Sequence, residues 1–141
     1  MFMKYILLII AIVVLQNVYG LSKEQLKKTL GLMKKSCLSK SGATEDKVAS
    51  IEQGAFLEEK NVMCYVMCIY KSVQVVKDDK LNLEMVIKQV DSLYPPEMRS
   101  SVKNAVNKCL NVQDKYNDVC SRVFYAAKCL YEQDPPNFVF P

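Results

Sequence analysis

The stretch CYVMC puts Cys64 and Cys68 four residues apart inside a segment, EEKNVMCYVMCIYKSVQVV, that otherwise reads as helix. Residues at i and i+4 share one helical face with Cβ atoms roughly 5–6 Å apart, whereas a disulfide needs about 3.5–4.5 Å. Within an intact helix the two cannot easily bond each other. Each must reach a different, distant segment, so this helix is expected to be riveted to the rest of the fold at two points.

The N-terminus decides what those thiols become. Residues 1–20 carry one basic residue, Lys4, then an uninterrupted apolar run of 11 residues from Tyr5 to Leu15, then Val18-Tyr19-Gly20 with a small residue at the cleavage point. This is the pattern of a secretory signal peptide. The run is too short for a membrane anchor, which needs about 20 apolar residues. Residues 21–141 are therefore expected to form the mature, extracellular protein. All six cysteines lie there, and an even count in an oxidising compartment reads as a disulfide framework. The chain has no His, and CxxxC is neither a zinc-ribbon nor a redox spacing, so no metal and no redox cofactor is expected.

Removing Lys4 leaves 18 of the 19 basic residues against 15 acidic ones, a mild net charge of +3 spread along the sequence. Nothing in it resembles a nucleic-acid patch. Enzyme chemistry finds equally little support, and no catalytic residue is assigned. A secreted phospholipase would need a base that a chain without His does not offer in the usual form. No GxSxG or glycine-rich phosphate loop occurs. The acid pairs Glu58-Glu59 and Asp78-Asp79 are adjacent, so on a helix they diverge by about 100°.

The apolar pattern is helical throughout and fits one domain, an all-α fold with no convincing strand. Ser22 opens SxxQ, a capping signature, and Leu26, Leu30, Met33 and Cys37 follow at helical intervals, so a first helix should end near Cys37. SGAT at 41–44 breaks it, and Thr44 can cap a short second helix to about Gln53. A third is expected over Glu58–Val76. Asn82 caps a fourth with Leu83, Val86, Ile87 and Val90 on one stripe. Pro95-Pro96 stops it and opens a fifth with Met98, Val102, Ala105, Val106 and Cys109. A sixth spans Tyr116–Glu132 and ends before Asp134-Pro135-Pro136. Cys120 and Cys129 then lie nine residues apart on one helix, on opposite sides. Of the fifteen arrangements that six cysteines allow, excluding 64–68 and 120–129 leaves ten open.

The cysteines at 37, 64, 68, 109, 120 and 129 are separated by 26, 3, 40, 10 and 8 residues. With the leader, the helical pattern, LYPPEMR at 93–99 and DPPNFVFP at 134–141, the mature chain resembles the six-cysteine insect odorant-binding proteins of the pheromone and general odorant-binding family. The resemblance implies the pairing Cys37–Cys68, Cys64–Cys120 and Cys109–Cys129, and a compact six-helix domain around one apolar cavity. It implies a secreted carrier of small hydrophobic molecules such as odorants or pheromones, a monomer or weak homodimer, with a chemosensory membrane receptor as a further partner. A saposin-like lipid-interacting module and a cytokine-like receptor ligand are the alternatives among helical six-cysteine chains.

Carried onto this sequence, the family's cavity would be lined by Leu26, Leu30 and Met33, by Ile69, Tyr70 and Val73, and by Leu83, Val86, Ile87 and Val90. The later helices would add Val102, Ala105, Val106, Ala127 and Leu130. Each set is also an apolar helical face. Phe138, Val139 and Phe140 follow two prolines at a terminus, where three large apolar residues are rarely left in water, so the tail should fold back as a wall. Tyr65, Tyr70, Ser72, Thr29 and Tyr125 are candidate hydroxyl anchors. Met63, Met67, Met85 and Met98 could lend adaptability. The resemblance also implies a latch in which the terminal carboxylate of Pro141 is held near Lys34 and Tyr65. Without His, such a latch should open only in a strongly acidic medium.

Overall fold

A computed structural model describes residues 2–141, with side chains for 2–12 and 20–141. The first helix, α1 (Phe2–Tyr19), is the apolar N-terminal segment. It leaves Phe2, Leu7 and Ile9 more than half exposed, so these side chains contribute nothing to a core. No described helix is long and apolar enough to cross a membrane. Residues 23–133 fold into six further α-helices, as expected for the all-α class.

Helix α2 (Lys23–Ser41) starts at a complete capping box: Ser22 Oγ accepts from the Gln25 N–H at 3.2 Å, and Gln25 Oε1 accepts from the Ser22 N–H at 2.9 Å. It continues one turn beyond Cys37, because the first residue that favours a left-handed backbone is Gly42, at φ +74°. Helix α3 (Glu45–Val48) is a single turn. Thr44 sits at its N-cap with extended backbone, but its hydroxyl makes no capping bond. A 3₁₀ turn at Ile51–Gln53 follows, closed by Gly54 at φ +94°. A Cβ there would lie 2.4 Å from the Tyr131 ring, so only glycine lets that ring close over the turn.

Helix α4 (Lys60–Ser72) is shorter than the expected 58–76. Past Ser72 the chain turns at Gln74, φ +60°, and forms a minimal antiparallel hairpin, β1 (Val76–Lys77) against β2 (Lys80–Leu81). Asp78 and Asp79 both adopt left-handed backbone, φ 51° and 58°. That is the requirement of a tight two-residue hairpin, and Asp tolerates it better than most residues. Val75 and Leu81 are buried beneath the ribbon. The amide of Gln113 then serves as a third strand, accepting from the Leu81 N–H at 2.8 Å and donating to the Leu81 carbonyl at 3.1 Å. This pairing keeps Gln113 buried without an orphaned polar atom.

Helix α5 (Leu83–Leu93) is capped by Asn82, whose Oδ1 accepts from the Met85 N–H at 3.0 Å. Helix α6 (Pro96–Cys109) has proline in its first turn, where no donor is lost. A 3₁₀ segment, Leu110–Lys115, leads to α7 (Val119–Gln133), which starts three residues later than expected because Asp118 supplies the cap.

Helix α4 lies between α2 and α7, and the disulfides follow that layout. Cys68 bonds Cys37 of α2, Cys64 bonds Cys120 of α7, and Cys109 of α6 bonds Cys129 of α7, with Cα atoms 5.6, 4.6 and 5.6 Å apart. The i, i+4 spacing of Cys64 and Cys68 thus serves two partners on two neighbouring helices. No described cysteine is free.

The buried side chains form two clusters. The larger joins α4 and α7 through Val62, Tyr65, Val66, Ile69, Val123, Phe124 and Ala127. The smaller joins Leu26 and Leu30 of α2 to Met98 of α6. The tail ties them together. Its backbone is extended at Phe138, so successive side chains face opposite ways. Phe138 and Phe140 enter the larger cluster and Val139 the smaller.

Candidate functional site: an apolar cavity between the two clusters

Between these clusters is a cavity of about 80 Å³. Helix α2 contributes Leu26 and Leu30, α4 contributes Ile69 and Tyr70, α5 contributes Val86, Val90 and Leu93, α6 contributes Val102 and Val106, and α7 contributes Leu130. Val73 and Val75 enter from the chain leading into the hairpin, and Val139 and Phe140 from the tail. Gln89 and the two tyrosines, Tyr70 and Tyr94, are the only polar residues among the lining. Such a lining supplies dispersion and hydrophobic burial with a few directional contacts, the usual makeup of a small-molecule pocket.

Two smaller lobes adjoin it. One, about 30 Å³, lies against the tail and is bordered by Tyr70, Tyr94, Asp134, Asn137 and Phe138. The other, about 20 Å³, lies toward the hairpin and is bordered by Leu81, Cys109 and Ala126. Tyr70 and Leu130 border all three spaces. Their side chains are the partitions, and a rotamer change at either would alter the connected volume. An engineered apolar cavity near 150 Å³ accommodates benzene, so a larger guest here must displace these partitions.

Of the expected lining, Leu26, Leu30, Ile69, Tyr70, Val73, Val86, Val90, Val102, Val106, Leu130, Val139 and Phe140 meet at the main cavity. Six do not. Ala105 and Phe138 border the tail-side lobe instead. Ala127 is fully buried in the α4–α7 core, and Met33 packs against the same core. Leu83, at the first turn of α5, is 40% exposed, and Ile87 lies off the lining. The reason is geometric: an apolar stripe about 100° wide has two flanks, and one flank packs on a neighbouring helix while the other faces the cavity. Val75, Gln89, Leu93 and Tyr94 were not among the expected residues. Extending the α5 stripe from Val86 by helical steps reaches Gln89, Val90 and Leu93, and Leu93-Tyr94 opens the LYPPEMR motif. Val75 was hidden by the assignment of its segment to helix.

Among the candidate hydroxyls, only Tyr70 reaches the cavity. Thr29 Oγ1 donates to the Gln25 carbonyl at 2.9 Å and Ser72 Oγ to the Cys68 carbonyl at 2.8 Å, each satisfied by its own helix. Tyr125 stacks on Tyr116, ring centres 4.1 Å apart. Tyr65 points to the chain terminus. None of Met63, Met67, Met85 and Met98 lines the cavity; Met98 is buried beneath it. The adaptable side chains at this site are therefore Tyr70 and Leu130 rather than methionines.

The latch differs from expectation at one end. Tyr65 Oη lies 3.5 Å from a terminal oxygen of Pro141. Lys34 instead pairs with Glu45 at 2.5 Å. No ion pair among the described residues involves the terminal carboxylate. Glu45 opens α3 and meets the lysine across the α2–α3 turn. Phe140 is held by rings instead, with centres 6.0 Å from Tyr65 and 6.2 Å from Tyr70.

Residues 21–133 match the family model described as PBP/GOBP family. The chain belongs to this family. Two solved structures of odorant-binding proteins share its fold at moderate identity. Odorant binding protein 4 of the predator Chrysopa pallens is 30% identical with a TM-score of 0.76, covering 86% of this chain and 99% of that one. Odorant binding protein 5 of Apis mellifera is 29% identical with a TM-score of 0.73 over the same shares. General odorant-binding protein 72 of Anopheles gambiae is 28% identical over 122 residues, 86% of this chain and its own full length. The PBP/GOBP family is one of small-ligand carriers, and the cavity lies where α2, α4, α5, α6, α7 and the tail converge.

Proposed function

We propose that this PBP/GOBP member is a secreted carrier that takes small hydrophobic molecules into the α2–α7 cavity and moves them through aqueous extracellular fluid. The observation that carries this reading is the lining itself: aliphatic and aromatic residues from five helices and the tail enclose space that the core leaves unfilled. A void costs about 24 cal/mol per Å³, and three crosslinks between α2, α4, α6 and α7 offset that loss. An apolar guest regains about 25 cal/mol for each Å² it removes from water. Residues 1–20 act as the signal peptide; the family match begins at Leu21, whose N–H donates to the Leu93 carbonyl at 3.0 Å and so begins the domain. The role needs no catalytic group and no metal.

The test is titration of the secreted protein with the fluorescent apolar probe N-phenyl-1-naphthylamine, without vesicles. Saturable binding, one probe per chain, is expected. Binding seen only when lipid is present would overturn the reading.

A further inference from the structure

Tyr70 and Tyr94 stand on the border between the main cavity and the tail-side lobe, lining both. Among the described residues neither hydroxyl has a hydrogen-bond partner. Elsewhere in the main cavity the only polar side chain is Gln89. The lobe beyond holds Asp134, whose two oxygens both accept from Asn137 Nδ2, at 2.9 and 3.0 Å. No lysine or arginine lines either space.

Resting on the carrier reading, we propose that the preferred guest is an apolar molecule bearing one uncharged oxygen, an alcohol, ketone or ester. Its hydrocarbon part lies along Leu26, Leu30 and Val90, and its oxygen sits between the Tyr70 and Tyr94 hydroxyls. A carbonyl accepts from both; an alcohol donates to one and accepts from the other. An anionic guest such as a fatty acid is disfavoured, because it would bring a second negative charge toward Asp134 with no cation to meet it. Burial, with the charge of Asp134, pushes the Tyr94 phenol up to about 12. Burial first and then Tyr94 raise that of Tyr70 as well. Both phenols therefore remain neutral donors.

The experiment displaces bound N-phenyl-1-naphthylamine from the secreted protein with octane, 1-octanol, 2-octanone and octanoate at neutral pH. In wild type, octanol should outcompete octanoate by more than about tenfold, and Asp134→Asn should narrow that gap. Tyr70→Phe and Tyr94→Phe should each weaken octanol and octanone relative to octane by about two- to tenfold, the worth of one hydrogen bond. Equal weakening of all competitors would mean that the tyrosines only pack, and would overturn the proposal. So would octanoate matching octanol in wild type, a comparison that needs no variant. In either case probe binding leaves the carrier reading standing, whereas failure to bind the probe removes both.

Discussion

Tyr65 reaches the last residue of the chain, its hydroxyl donating toward a terminal oxygen of Pro141 across 3.5 Å, the outer limit of a hydrogen bond. A contact that long, with Lys34 engaged by Glu45, leaves the tail held mainly by Phe138, Val139 and Phe140. Tyr65→Phe should cost less than about 1 kcal/mol in a denaturant titration. It should also leave probe binding flat between about pH 8 and 5, because the chain has no His to titrate there. A release midpoint near 6 to 7 in wild type would contradict this.

Phe140 is 1% exposed and shared between core and cavity, so the tail is both a wall and part of the core. Phe140→Ala should cost about 3–5 kcal/mol of stability. Val139→Ala should cost less and shift the size preference toward bulkier guests, because its methyls face the cavity. Denaturant unfolding and displacement by a graded series of alcohols separate the two effects.

The disulfides close segments of 31, 56 and 20 residues. Longer loops lose more entropy when crosslinked, so replacing Cys64 and Cys120 together by Ser should be the most damaging of the three double changes, at about 2–5 kcal/mol. Comparing the three denaturation midpoints tests the order. Mapping of the secreted protein without reduction should recover 37–68, 64–120 and 109–129.

Burial, with the charge of Glu45, pushes the Tyr65 phenol up to about 12, and burial with Asp134 does the same for Tyr94. A folded value raised above the unfolded value of about 10 contributes stability that is complete below 10 and is lost as pH rises through the folded value. Stability should therefore decline progressively above about pH 10. Phenolate absorbance should show these tyrosines ionising late, in step with unfolding; titration of every tyrosine near 10 would be inconsistent with the buried positions.

What the sequence by itself determined is what depends on neighbours along the chain. The capping box at Ser22, the Asn82 cap, the proline start of α6 and the helical stripes all act within a few residues. The six-cysteine spacing carried the family resemblance and, through it, the disulfide partners. The structure decided what depends on contacts across the fold. The hairpin after α4 exists because Val75 and Leu81 find a buried floor and Gln113, more than thirty residues on, completes its hydrogen bonding. Lys34 meets Glu45, which the short α3 turn brings to it. Each apolar stripe is wide enough to serve two neighbours, so periodicity marks Val86 and Ile87, or Ala127 and Leu130, alike as inward. Only the packing of α4 against α7 turns Ala127 into core and leaves Leu130 facing the cavity.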